Sequence, residues 1–293
     1  MAMNDPSGNS FLVDALLPPA MAERAERIGA EKARLDVWRL LTLAVLAGAF
    51  IGFGAMFANI AGVGAAGVLP YGFTRVMVGI VFSLGLILVI VGGAELFTGN
   101  NLMVMALAGG KATVREVLRA WLIVYVGNFV GAGATAVFVF LAGHYGDAGG
   151  EVGAAALAIA QSKVDLAFFP TLVRGILANV LVCLAVWLCY SARTTADKIL
   201  AIVPPTAAFV AAGFEHSVAN MYLLPFALLI KSGAPASFWG AIGSSPEAYD
   251  SLTWVAAAVN FLPVTIGNLI GGTLLVGGVY WFVYLYRRST TLG

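Results

Sequence analysis

The sequence predicts an all-α polytopic membrane protein: six transmembrane helices built as two inverted three-helix repeats, with helices two and five broken. Three observations carry this. Hydrophobic residues make up 60% of the 293 residues and charged ones 11%, and the apolar ones gather into runs of about 20, long enough to cross a hydrocarbon core. The stretch from about Leu200 to Ile230 would span about 45 Å as one helix against a core of about 30 Å, and it carries Glu215 and His216 side by side after Gly213. Ionisable groups at that depth cost at least about 2.5 kcal/mol, so they face a cavity or a partner, and an interrupted backbone there lines a cavity or is buried in protein. Finally, the pattern recurs. Gly93, Glu95 and Asn100 share the spacing of Gly213, Glu215 and Asn220, and each set is followed by Gly-Asn-x-x-Gly, at 127–131 and 267–271. Interrupted apolar segments at matching places in two halves point to a transport site near the membrane midplane, and three spans per half, an odd number, invert one half relative to the other.

In chain order, residues 1–36 form a tail and a charged helix (20–36) with few apolar anchors, Leu16, Leu17, Met21 and Ile28, which reads as an interfacial helix or a solvated lead-in. The transmembrane domain covers 37–287, repeat one about 37–142 and repeat two about 168–287, and 288–293 is a short tail. Span one is about 37–61, with Trp38 and Arg39 at an interface and Gly48, Gly52 and Gly54 allowing close helix approach. Span two starts near Phe73, is interrupted from Glu95 to Asn101 and runs to about Ala108. Phe82 and Leu86, one turn apart, share a face of it. Span three is about 117–142. A polar connection, about 143–165, carries His144 and Lys163. Span four, about 168–190, places Asn179 and Val182 on one face. Span five is the broken element 199–230, and a Gly-, Ser- and Ala-rich loop, 231–251, leads to span six, about 252–286.

With six spans, the sixteen Lys and Arg residues divide twelve to four. Arg24, Arg27, Lys32, Arg34, Arg39, Lys111, Arg115, Arg119, Arg193, Lys198, Arg287 and Arg288 fall on the side of the termini; Arg75, Lys163, Arg174 and Lys231 fall on the other. The positive-inside bias then puts both termini in the cytoplasm, in a cell inner membrane. No secretory signal is visible, since the first strongly apolar run begins near Leu40 after charged residues. A formal charge of +1 gives no field that favours nucleic acid. Cys183 and Cys189 share one apolar span without a histidine cluster, so they read as core residues; no metal or cofactor site is predicted.

His216, the one histidine inside a span, would offer a hydrogen bond or a proton to a passing solute. Thr98, with apolar neighbours Leu96 and Phe97, offers a hydroxyl in the first break. Glu95 and Glu215, with Asn100 and Asn220, read as braces of the unwound backbone. Phe82 and Phe209 read as core aromatics, and Lys163 as a solvated charge or an anion collector. An aquaporin-type channel for neutral solutes would show paired Asn-Pro-Ala triplets, which this chain lacks. A membrane-embedded enzyme or redox protein using Glu215 and His216 would want a nucleophile, metal ligands or further axial ligands.

Four stretches, Gly93-Ala94-Glu95-Leu96-Phe97-Thr98, Asn179 to Trp187, Gly213 to Met221 and Asn260 to Asn268, resemble the signatures of the formate/nitrite transporter family. The resemblance implies an aquaporin-like protomer in a homopentamer, each protomer with its own pore for a small monovalent anion: formate, nitrite or hydrosulfide, with a proton as second passenger. On it, His216 matches the central histidine, and Leu96 and Thr98 the loop of the first break. Phe82 and Phe209 match hydrophobic constrictions on either side of that histidine, Lys163 an outer vestibule lysine, Asn179 a span-four asparagine and Asn260 a polar residue near the histidine. The amino-terminal extension and Gln161-Ser162-Lys163-Val164 look more like formate channels than nitrite ones.

Overall fold

The computed structural model describes residues 15–286, and all regular structure among them is helical. The outermost tails, with Arg287 and Arg288 of the charge count, lie outside the described residues. The first half comprises α1 (Pro18–Ala33), α2 (Val37–Gly62), α3 (Tyr71–Gly92), a 3-10 turn (Gly99–Met103) running into α4 (Val104–Ala108), and α5 (Val114–Leu141). The second comprises α6 (Glu151–Val164), α7 (Phe168–Ser191), α8 (Thr195–Ala211), α9 (Ser217–Gly233), the short α10 (Ala236–Ala241), and α11 (Trp254–Leu269), which continues through a π-helix (Ile270–Gly278) into α12 (Val279–Tyr284). Five helical stretches are long and apolar enough to cross a membrane: Val37–Gly62, Tyr71–Gly92, Val114–Leu141, Phe168–Ser191 and Pro246–Tyr284. Helices α8 and α9 have 17 residues each, about 26 Å apiece at 1.5 Å per residue.

Local sequence sets the ends. Thr113 caps α5 in a reciprocal box with Glu116, and Thr253, at the matching place in the second half, caps α11 by accepting from the Ala256 N–H. Gly93 and Gly213 lie in the left-handed region, at φ 81° and 69°, where a Cβ would be strained. They end α3 and α8 and turn the chain inward.

Two findings add to the sequence reading. Helix α1 packs against the rest of the chain: Met21, Ala22, Ala25, Gly29 and Ala33 form a buried stripe against the 3-10 turn and α4, because small residues at helical spacing let the backbones approach closely. The stretch read as a polar connection contains the 14-residue helix α6, whose Ala-rich sequence is a good helix former once past the glycines at 149 and 150. Each half therefore begins with a short helix packed before its first long one, and the repeat is longer than the spans alone.

The Gly-Asn-x-x-Gly motifs hold the long helices together. A Cβ on Gly131 would stand 1.9 Å from the Val45 carbonyl of α2, and one on Gly271 would stand 2.2 Å from the Ile176 carbonyl of α7. Overpacking of this kind costs about 1–3 kcal/mol even where flexible side chains can yield, and here the neighbour is backbone. Gly131→Leu is expected to cost at least about 3 kcal/mol, read as a lowered melting temperature of detergent-purified protein; Gly133→Leu, where a Cβ meets nothing within 4 Å, is the neutral control.

Candidate functional site

The two breaks are braced by the same chemistry. In the first, the Glu95 N–H donates to Leu43 O at 3.1 Å. Asn128 accepts from the Phe97 N–H at 2.9 Å and donates through Nδ2 to Ala44 O (2.7 Å) and Glu95 O (2.9 Å). In the second, the Glu215 N–H donates to Arg174 O at 3.4 Å. Asn268 accepts from the Ser217 N–H at 2.9 Å and donates to Gly175 O (2.8 Å) and Glu215 O (3.0 Å). Buried amides outside a helix must find partners, and one asparagine per break supplies three bonds. These are the asparagines of the second repeated motif, 128 and 268.

Each break also holds a buried carboxylate paired with a lysine from the short leading helix. Glu95 Oε2 receives Lys32 Nζ at 2.9 Å and Asn100 Nδ2 at 2.7 Å. Glu215 Oε1 receives Lys163 Nζ at 2.9 Å, and its Oε2 receives Asn220 Nδ2 at 2.8 Å. Asn220 Nδ2 also donates to Asn260 Oδ1 (2.9 Å), and Asn260 Nδ2 to Lys163 O (3.0 Å). Lys32 is a group that motif reading missed. The signal was there: the chain separation that relates Leu43 to Arg174 and Ala44 to Gly175 also relates Lys32 to Lys163.

Between the breaks, Thr98 Oγ1 and His216 Nε2 lie 2.9 Å apart, with Thr98 wholly buried and His216 2% exposed. His216 is the N-cap of α9, and its Nδ1 accepts from the Ala219 N–H at 3.1 Å. That bond assigns the ring proton to Nε2, which donates to Thr98 and leaves the Thr98 O–H free to donate onward. Protonating Nδ1 would forfeit the cap. The carbonyl of Thr98 takes Asn179 Nδ2 (3.3 Å) and the Cys183 thiol (3.3 Å).

Two cavities approach this pair. The first, about 240 Å³, is lined by Lys32, Leu86, Val89, Glu95, Leu96 and Tyr190 among others. The second, about 120 Å³, is lined by Asn59, Arg75, Phe82, Lys163, Phe209 and His216 among others. Their linings are related position by position: Lys32 to Lys163, Val89 to Phe209, Leu96 to His216, and Tyr190 to Asn59.

Phe82 and Phe209 stand together, ring centroids 5.6 Å apart and edge-on, and Phe209 stacks on His216 at 5.8 Å. Both line the second cavity, so they do not flank the histidine on either side; towards the first cavity the neighbours are Leu86 and Leu96. The correction has a simple cause: Phe209 is seven residues before His216 on the same inward chain, and Phe82 packs across from it on α3. The Phe97 ring turns away, edge-on to Tyr125 at 4.9 Å. Val182 is buried and outside both linings. Asn179 and Asn260 spend their amide donors on other protein groups, Asn179 Nδ2 also reaching Asn101 Oδ1 (2.8 Å) and Asn268 O (2.7 Å). No cluster of three or more metal-ligating side chains occurs among the described residues.

Residues 19–282 match the description of the formate/nitrite transporter family. The chain belongs to this family. Among relatives, the formate channel FocA of Escherichia coli K12 is 46% identical over 277 residues, 94% of this chain and 97% of that protein. Formate channel FocA of Haemophilus influenzae is 38% identical, covering 90% of this chain and 93% of its own. A solved pentameric formate channel with formate bound superposes with a TM-score of 0.81 at 41% identity, over 85% of this chain and 98% of that one. An FNT family ion channel gives 0.76 at 26% identity, over 90% and 98%. As a formate/nitrite transporter family member, the chain is a multi-pass membrane transport protein and not an enzyme.

Proposed function

We propose that this chain carries formate across the cell inner membrane, as a homopentamer with one conduit per protomer. Both termini face the cytoplasm, so the first cavity opens inward and the second outward. The broken pairs α3–α4 and α8–α9 count as spans two and five, which makes the halves inverted copies. The observation that carries this reading is the Thr98–His216 contact between two cavities of matching lining, in a chain whose relatives include proteins named as formate channels.

The solute crosses the neck as the neutral acid. Isolated charge in a low-dielectric medium carries a penalty of tens of kcal/mol in the Born limit. The groups here offer little to offset it: the His216 ring is neutral in its cap geometry, and both nearby lysines are committed to carboxylates. The anion enters a cavity and takes a proton from hydronium in the solvent, and the acid passes Phe209 and Phe82, then Thr98 and His216, then Leu96 and Leu86, giving the proton back to water on the far side. Transport is thereby coupled to a proton without the ring changing charge. Nitrite and hydrosulfide, also anions of weak acids, would meet the same groups.

Liposomes containing the purified protein test this with labelled formate, nitrite and hydrosulfide under an inward pH gradient. Formate uptake well above that of empty vesicles, rising as external pH falls, is expected; absence of formate uptake overturns the assignment. His216→Asn separates the two proton routes. Its uptake should keep the pH dependence of the wild type, whereas loss of that dependence would make the ring itself the relay.

A further inference from the structure

The second cavity holds a buried polar group that the passage just described leaves unused. Asn59, near the end of α2, is 6% exposed and lines the cavity with Phe82, Lys163, Phe209 and His216. Its Nδ2 donates to the Val152 carbonyl of α6 at 3.0 Å, and its Oδ1 has no protein partner. The amide cannot be turned over, because that would set Oδ1 against the Val152 oxygen, acceptor to acceptor. What Asn59 has left to offer is therefore an acceptor. A buried acceptor with nothing to accept from is unfavourable unless a solute or water satisfies it.

We infer that Asn59 binds the undissociated acid in the second cavity, its Oδ1 accepting the acid's O–H. The inference rests on the weak-acid reading above and extends it to a residue outside the four signature stretches. A carboxylate has no hydrogen to give this oxygen and meets it as a repulsive partner, so the group discriminates for the neutral form. In the first cavity the matching position is Tyr190, which carries a phenol in place of the amide.

The test is the concentration dependence of labelled formate uptake into liposomes carrying the full chain, Asn59→Leu or Asn59→Met. Loss of one hydrogen bond to the bound solute should raise the half-saturating formate concentration about tenfold and keep maximal flux within about threefold of wild type. A fall in maximal flux at unchanged half-saturation would make Asn59 only a strut for α6 through Val152 and overturns the inference, as does no change in either quantity. Failure of both variants to assemble would equally mark Asn59 as a scaffold group and overturn it. Wild-type protein that takes up no formate sinks the weak-acid reading instead.

Discussion

Replacing His216 by phenylalanine is expected to lower formate flux about 100-fold. A phenyl ring can keep the stack on Phe209, so the neck stays filled, but the partner of Thr98 Oγ1 is gone and the hydroxyl loses the bond that orients it. Leaving a buried polar group without its partner costs about 1–3 kcal/mol, and each 1.36 kcal/mol of barrier is a factor of ten. The same substitution removes the cap of α9 given through Nδ1, about 1 kcal/mol of stability. His216→Asn pulls these roles apart. Asparagine is among the best N-cap residues, so stability should stay within about 0.5 kcal/mol while flux still falls at least about tenfold. Thermal melts and vesicle uptake on the same preparations read both. Wild-type flux in either variant would remove the imidazole from the passage.

Lys32→Met is expected to destabilise the protein by about 3 kcal/mol. Removing one partner of a buried ion pair leaves the other charge uncompensated, which costs about 3–5 kcal/mol; the lower figure applies because the Lys32 side chain is 30% exposed while Glu95 is 7% exposed. Lys32→Met with Glu95→Gln should recover most of the loss, since a neutral amide can still accept from Asn100 Nδ2. The same cycle in the second half, Lys163→Met with Glu215→Gln, should behave alike if the halves are copies. Melting temperatures of the seven proteins decide it. Additive losses in either cycle would mean that the pair does not act as a unit.

The breaks were legible because their chemistry is local in the chain: a glycine to turn, a carboxylate two residues on, an asparagine five further. The Gly-Asn-x-x-Gly motifs were visible as repeats, yet their purpose was not, since Asn128 reaches back to Ala44 and Glu95, and Asn268 to Gly175 and Glu215. Lys32 was hidden by its helix. A charged, Ala-rich segment with few large apolar residues reads as a surface element, and only packing shows that its small residues are the buried ones. Helix α6 was hidden by the glycines before it. The positions of Phe82 and Phe209 depended on how far α8 travels before its break, which spacing alone cannot say. Asn59 carried no sequence signal beyond being an asparagine in an apolar span, and its interest comes from a single unmatched oxygen.

The central claim, that one conduit runs between Thr98 and His216 from the first cavity to the second, is tested most directly by side-specific block. In protein with Cys183→Ala and Cys189→Ala, Leu96→Cys and Phe209→Cys are each exposed to a membrane-impermeant thiol reagent from one face of the vesicle at a time, and formate flux is followed. The account predicts that Leu96→Cys is blocked from the inner face only and Phe209→Cys from the outer face only. Block of both from the same face, or full labelling with flux unchanged, would contradict it.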